Sequence, residues 1–375
     1  MVYNSYLMRK KCCLLSSIME NLKFLLVIAM LFSGLIAQAQ DAVAVSVEET
    51  EEEESSLSIS GFVDVYYQYN FNDNAAGTTS FTGAHNSFEL GMANVIFAKD
   101  FDKVGFVADL AFGPRANDAN GTSIFGLTTN VIKQLFVTYS PVDKLTLTAG
   151  NFSTHVGYEL IDAPGNFNYS TSYMFSNGPF FHTGIKADYA ITDKFGAMIG
   201  LYNDTDSKTD VDAAPGKHVG AQLSYSDDKV GVYLNYLGGK EDTSLTANQI
   251  DLTATFQATD ALLIGVNATT KMYAEDDVSE DESWFGAALY LNYAISDNFA
   301  LGLRGEYFDD AYGLQYGVAD MNLMEYTLSA NLTKGNLTFV PELRIDVASE
   351  DFFVDADGNL TGTSPTFILG AYYAF

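Results

Sequence analysis

"NFALGLRGEYF", residues 298–308, alternates between two kinds of side chain. One row reads Phe299, Leu301, Leu303, Gly305 and Tyr307; the other reads Ala300, Gly302, Arg304, Glu306 and Phe308. A period of two puts the rows on opposite faces of an extended strand. The first face is dry and the second largely wet, so the fold turns on which of them points inward. A soluble sandwich buries the dry face between two sheets. A transmembrane barrel turns it outward to lipid.

The same alternation recurs in sixteen segments: 57–71, 86–99, 103–113, 130–140, 144–152, 181–190, 194–203, 217–226, 229–238, 248–258, 261–272, 284–294, 298–308, 323–333, 336–347 and 365–375. Their length, about 10 residues, is that of a tilted membrane strand. Fourteen or eighteen strands result if one segment fails or a long loop hides a hairpin. Helical periodicity is hard to find, and no apolar run of membrane-helix length follows residue 39.

The connections say more than the strands. Even-numbered segments are followed by tight turns built alike: "FDKV" at 101, "VDKL" at 142, "TDKF" at 192, "DDKV" at 227, "TDAL" at 259, "SDNF" at 296 and "TKGNL" at 333. Aspartate before Lys or Asn favours such turns by bonding its side chain to the backbone. Odd-numbered segments are followed by longer polar stretches rich in Gly and Asp. A soluble sandwich has no reason to sort its loops this way. A membrane barrel does, because short turns face the periplasm and long loops the exterior.

The dry rows agree. Segment 323–333 offers Met324, Tyr326, Leu328, Ala330 and Leu332, and segment 365–375 offers Phe367, Leu369, Ala371, Tyr373 and Phe375. Tyr and Phe gather near segment ends, as aromatic girdles at two membrane interfaces require. The opposite rows carry Gly, Ser, Thr, Asn, Gln and scattered charges, a costly core for a sandwich. The expected fold is therefore an all-β, transmembrane, antiparallel up-and-down barrel of sixteen strands, closed between 57–71 and 365–375. Pro341 on the dry row of 336–347 breaks the pattern; it loses a ladder bond and marks a bulge site.

Composition and address fit. Of 375 residues, 18% are charged and 14% aromatic, with 23 Tyr, 27 Phe and 31 Gly against 7 Pro. Lys23, the apolar run Phe24–Ala37 and the small-residue site "AQA" (37–39) read as a secretory signal, residues 1–39, with Met19 the more natural start. Its removal takes both cysteines, Cys12 and Cys13, so neither disulfide nor thiol chemistry is expected. The mature net charge is then about −32, which excludes nucleic-acid binding through a basic stripe. "EETEEEE", 48–54, lies in an acidic periplasmic linker read over 40–56.

With "SGFVDVYYQYNFN" (60–72), "VIKQLFVTYSPVDKLTLTAGNFSTHVGYELID" (131–162) and "NYSTSYMFSNGPFFHTGIKADY" (168–189), the chain resembles the OmpL-like β-barrel porins of the Gram-negative outer membrane across its mature length. The opening aromatic strand and the long central loop are the most specific parts. The resemblance implies an outer-membrane channel for small hydrophilic solutes and names no solute. The terminal strand "GAYYAF" with Phe375 last resembles the signal read by the outer-membrane assembly machinery.

The longest connection, 153–180, is far longer than a link needs to be, and such loops carry function. In a sixteen-strand barrel it can fold inward as a constriction bearing His155, Tyr158, Glu159, Asp162, Asn166 and Tyr169, or cap the exterior. By alternation, Asp64, Asp109, Lys186, Asp188, Asp251 and Lys271 face the lumen. So do Arg304, Glu306, Glu325, Glu342, Arg344 and Asp346, which lie on three successive strands. Cross-strand charge pairs there set up a transverse field, or serve only to pair one another in a wet lumen. Nine acidic candidates, with Glu89 among them, against five basic ones including Lys133 favour cations weakly, or neutral solutes, over phosphate.

No cofactor or metal is expected. "DADGNLT" (355–361) starts like a calcium loop but has Leu360 where Gly is needed and Thr366 where Glu is. The acidic stretches 204–212 and 275–282 read as solvated exterior loops that can gather ions bridging lipopolysaccharide. His182 and His218, near Thr183 and Ser224, have no nucleophile motif around them, so catalysis is not expected. The rival readings are a silent anchor or adhesin barrel and, behind it, an outer-membrane hydrolase. Solute identity, pore width and assembly into a homotrimer stay open.

Overall fold

The structure, a computed structural model, describes residues 56–74, 77–121, 131–209, 216–241, 244–276 and 282–375. The signal and nearly all of the linker lie outside the described residues, as do parts of both acidic exterior stretches. Sixteen antiparallel strands close into one barrel. In chain order they are β1 (Ser58–Asn70), β2 (Ser87–Phe101), β3 (Val104–Phe112), β4 (Ile132–Val142), β5 (Leu145–Ser153), β6 (Phe181–Ala190), β7 (Phe195–Tyr202), β8 (His218–Ser226), β9 (Val230–Lys240), β10 (Leu245–Gln257), β11 (Leu262–Glu275), β12 (Glu282–Ser296), β13 (Phe299–Asp310), β14 (Met321–Lys334), β15 (Leu337–Ala348) and β18 (Thr363–Ala374). A two-residue hairpin, β16 (Phe353–Val354) with β17 (Leu360–Thr361), stands apart from the barrel. Every boundary falls within three residues of its sequence expectation.

Closure runs from Phe62 opposite Ala374 to Asn70 opposite Thr366. Gly61 and Phe375 exchange both backbone bonds, at 3.0 and 2.9 Å, so the last residue belongs to the seam. With no free edge, backbone groups pair with a neighbouring strand all around the ring, apart from local lapses such as that at Pro341. That is the condition for strands to cross hydrocarbon, where an unpaired group costs several kcal/mol.

Exposure separates the two faces. Leu303, Leu328 and Leu343 are 43%, 49% and 55% exposed, whereas their neighbours Arg304, Thr327 and Glu342 are at most 1% exposed. The dry rows face out and the charged rows face in. At the loop end the inner row turns apolar. Phe308 packs beside Trp284 (ring centroids 5.2 Å) and Tyr173 (6.0 Å), because a loop covers the wall there.

The short turns follow the expected places with a different chemistry in three of them. In "DDKV", Asp227 Oδ1 accepts from the N–H groups of Lys229 and Val230, both at 3.0 Å. In "TDKF" and "TDAL" the threonine does this work: Thr192 Oγ1 accepts from Phe195 N at 3.0 Å and Thr259 Oγ1 from Leu262 N at 3.0 Å. The first turn residue, whatever its identity, is the one within reach of those amides. "FDKV" instead closes through Asp102 at φ 52°, a left-handed conformation that Asp tolerates.

Pro341 makes no bulge. Between β14 and β15 the pairs Ser329–Glu342 and Leu332–Phe339 keep one register, and the ladder merely lapses between them. An irregularity that alternation did not suggest lies in β2, where Gly91 and Met92 together oppose Asp64 of β1, between the pairs Val63–Ala93 and Val65–Leu90.

Candidate functional site

The connection from β5 to β6, residues 154–180, turns into the barrel and touches inward-facing groups on strands all around it. Near its start, the His155 Nε2–H donates to the Tyr236 carbonyl of β9 (3.0 Å), and Gly157 N donates to Asp251 of β10 (3.1 Å). Tyr158 stacks on Tyr290 of β12, with centroids 4.2 Å apart and planes at 21°. In the middle, Asp162 pairs with Lys133 of β4 at 2.7 Å, and Asn168 donates to Ser329 of β14 at 2.7 Å. Further on, Tyr169 donates its hydroxyl to Asp64 of β1, and Tyr173 donates to Asp346 of β15 at 2.7 Å. The loop ends in α2 (Tyr173–Ser176), capped by Ser172, whose Oγ accepts from Phe175 N at 3.1 Å; α1 (Pro114–Ala119) lies after β3.

A loop inside a barrel brings its own backbone donors and acceptors, which need partners. The charged row of β13–β15 supplies them. Glu342 accepts from the N–H groups of Tyr169 (2.7 Å) and Ser170 (3.1 Å), and Glu306 from those of Tyr173 (2.7 Å) and Met174 (2.8 Å). Arg304 sits between Glu325 (2.8 Å) and Glu159 and donates to the Ser170 carbonyl at 2.7 Å. Arg344 holds Asp346 at 2.8 Å and donates to the Thr171 carbonyl at 2.7 Å. Hydrogen bonds to charged groups contribute about 1.5–3 kcal/mol each. All six charges are buried, facing the loop and one another rather than open water.

The other inward candidates divide. Asp64 accepts from Met92 N (2.6 Å), an amide freed by the irregularity in β2, with Arg115 at 3.4 Å. Asp109 pairs with Lys133 at 2.8 Å. Asp251 is buried and accepts from Asn235 (2.7 Å) and Asn267 (2.6 Å). Lys271 pairs with Glu241 at 3.0 Å. Lys186 and Asp188, 3.1 Å apart, are partly exposed.

Glycines shape the wall under the loop. A Cβ at Gly370 would lie 2.3 Å from the Tyr169 ring, and one at Gly302 would lie 3.0 Å from the Phe167 carbonyl oxygen. On the opposite side the loop stands off. A cavity of about 420 Å³ remains between it and β8–β12. The loop side presents His155, Tyr158, Glu159, Asn166, Phe167 and Asn168; the wall presents Gln222, Tyr233, Thr253, Thr255 and Tyr290. Burial lowers the His155 imidazole to about 4, against a smaller opposing effect of its bond to Tyr236, so the ring is neutral at pH 7. Burial likewise raises the Tyr158 hydroxyl to about 12.

A barrel with an inward loop and a residual opening lined by both polar and aromatic side chains is the anatomy of a channel. The family model described as "Putative beta-barrel porin-2, OmpL-like" matches residues 56–375. The chain belongs to this family of outer-membrane porins. Its fold is similar to that of an anion-selective porin from Comamonas acidovorans (13% identity, TM-score 0.61, covering 86% of this chain and all of that one). It is also similar to the trimer form of OmpT, an outer membrane protein of Vibrio cholerae (11%, 0.59, 86% and all), and to the outer membrane channel DcaP of Acinetobacter baumannii (14%, 0.57, 86% and 97%). No curated protein matches the chain.

Sequence reasoning missed one hub of the porin. Arg115, buried in α1, donates to the Ile161 carbonyl (3.2 Å) and lies over the rings of Phe81 (4.8 Å) and Tyr169 (5.1 Å). It lies just past a strand end, where alternation gives no direction. Gln222, Tyr233, Thr253 and Thr255 were legible by parity alone, but without a charge they drew no notice. His182 and His218 are not a catalytic pair: His182 contacts Thr154 (2.9 Å) and stacks on Tyr202, and His218 contacts the Lys240 carbonyl (3.1 Å). Asp355 folds back onto the amides of Asp357 (3.0 Å) and Asn359 (2.8 Å), a turn that closes on itself.

Proposed function

We propose that this porin passes small hydrophilic solutes by passive diffusion through the opening between the 154–180 loop and β8–β12. The cavity at that place carries the reading: it is lined by hydroxyls, amides and aromatic rings, and no Lys or Arg is among its described lining residues. Permeation there is weakly cation-preferring or neutral, since Glu159 is the only formal charge in the lining and is already paired with Arg304. The His182 environment supports no hydrolysis: no carboxylate among the described residues orients its ring, and its Nδ1 has no partner.

Export by residues 1–39, an acidic periplasmic tether over 40–56, insertion directed by Phe375, contact with lipid and lipopolysaccharide, and assembly as a homotrimer complete the proposal. Liposome swelling tests it. Vesicles holding refolded protein should swell quickly in arabinose and slowly in the tetrasaccharide stachyose. Inserted protein that admits neither sugar favours the anchor reading.

A further inference from the structure

We infer that the cavity beside the loop is a binding subsite for an uncharged, polyhydroxylated solute, a mono- or disaccharide. The inference deepens, and rests on, the diffusion reading above. The make-up of the lining selects such a solute. Tyr158, Phe167, Tyr233 and Tyr290 bring aromatic rings to one opening, on both the loop side and the wall side. A pyranose ring has C–H faces that pack on aromatic rings and an equatorial belt of hydroxyls that needs both donors and acceptors. Thr253 and Thr255 supply hydroxyls able to donate and accept, and Asn168 and Gln222, whose side-chain N–H groups are held by Ser329 and Asn235, offer amide oxygens as acceptors; Asn166 is closed on the Leu160 backbone.

Charge chemistry points the same way. An anion would need a cation in the lining, and there is none among the described residues. A cation would need a free carboxylate, but Glu159 is engaged with Arg304 and the Ser172 amide at 2.8 Å. The volume of about 420 Å³ falls in the range of small-molecule sites, about 300–1,000 Å³. Tyr158 and Tyr290 are fixed by their mutual stack, so the platform is formed before a solute arrives.

The test is single-channel current through the full-length refolded protein in a planar bilayer, with maltose added. Maltose should reduce the open current in a saturating, concentration-dependent way. Tyr233→Ala should raise the maltose-free conductance while weakening the block roughly five- to tenfold, the range an aromatic contact supplies. Tyr233→Phe, which keeps the ring face, should keep the block. Gluconate and lysine, at matched concentration, should block little. An open channel whose current maltose leaves unchanged, or that gluconate blocks as well as maltose, overturns the saccharide subsite and leaves the porin reading standing. Inserted protein with no conductance at all overturns both.

Discussion

At the scale of single residues, the inner wall is built to hold a loop, and substitutions should show it. Glu306 presents two carboxylate oxygens to two loop amides. Glu306→Gln places an NH2 against one of those donors, so about 1–3 kcal/mol should be lost. The unfolding midpoint in detergent should fall and protease sensitivity within 170–178 should rise. His155 gives a pH signature. Its folded pKa is lowered by burial to about 4, so the unfolded chain takes up a proton first as pH drops below the ordinary 6.5. This ring's contribution to stability is therefore present above about pH 6.5 and lost as pH falls toward 4. Cation preference, read as a reversal potential, should be flat from pH 8 to 5 and decline near pH 4 as the lining gains a positive charge. His155→Gln should reduce that decline, leaving the part that carboxylate protonation supplies over the same range.

At the scale of elements, strands were legible and the loop's path was not. The row Leu301, Leu303 against Gly302, Arg304, Glu306 fixes which way β13 faces, because one wrong step would put Arg304 in lipid. The seven short turns announced themselves through residues able to bond backbone amides. Nothing local says that 154–180 turns inward. That follows from partners far along the chain, Glu342, Arg344 and Glu306, whose charges read equally well as a wet lumen lining. Arg115 and the Asp64 irregularity were hidden for the same reason. The fit of loop to wall is itself testable. Gly370→Val would drive a side chain into the Tyr169 ring. The sheet should still close, since the backbone there is ordinary strand, but the loop should be displaced and the conductance raised by about twofold.

At the scale of the whole molecule, an apolar outside surrounds a polar, partly filled inside. Leu328→Arg should cost about 2–4 kcal/mol of folding free energy in lipid vesicles, the range for an arginine on a barrel's lipid face. Thr253→Arg, on the cavity side, should fold normally and turn the weak cation preference toward anions. The most direct test of the central claim compares single-channel conductance of the intact porin with that of a variant in which residues 157–176 are replaced by a short Gly-Ser link. Stepwise ohmic currents from both, with the shortened variant at least about twofold larger, are predicted. A silent intact barrel, or two equal conductances, would contradict the claim that this loop narrows a water-filled channel.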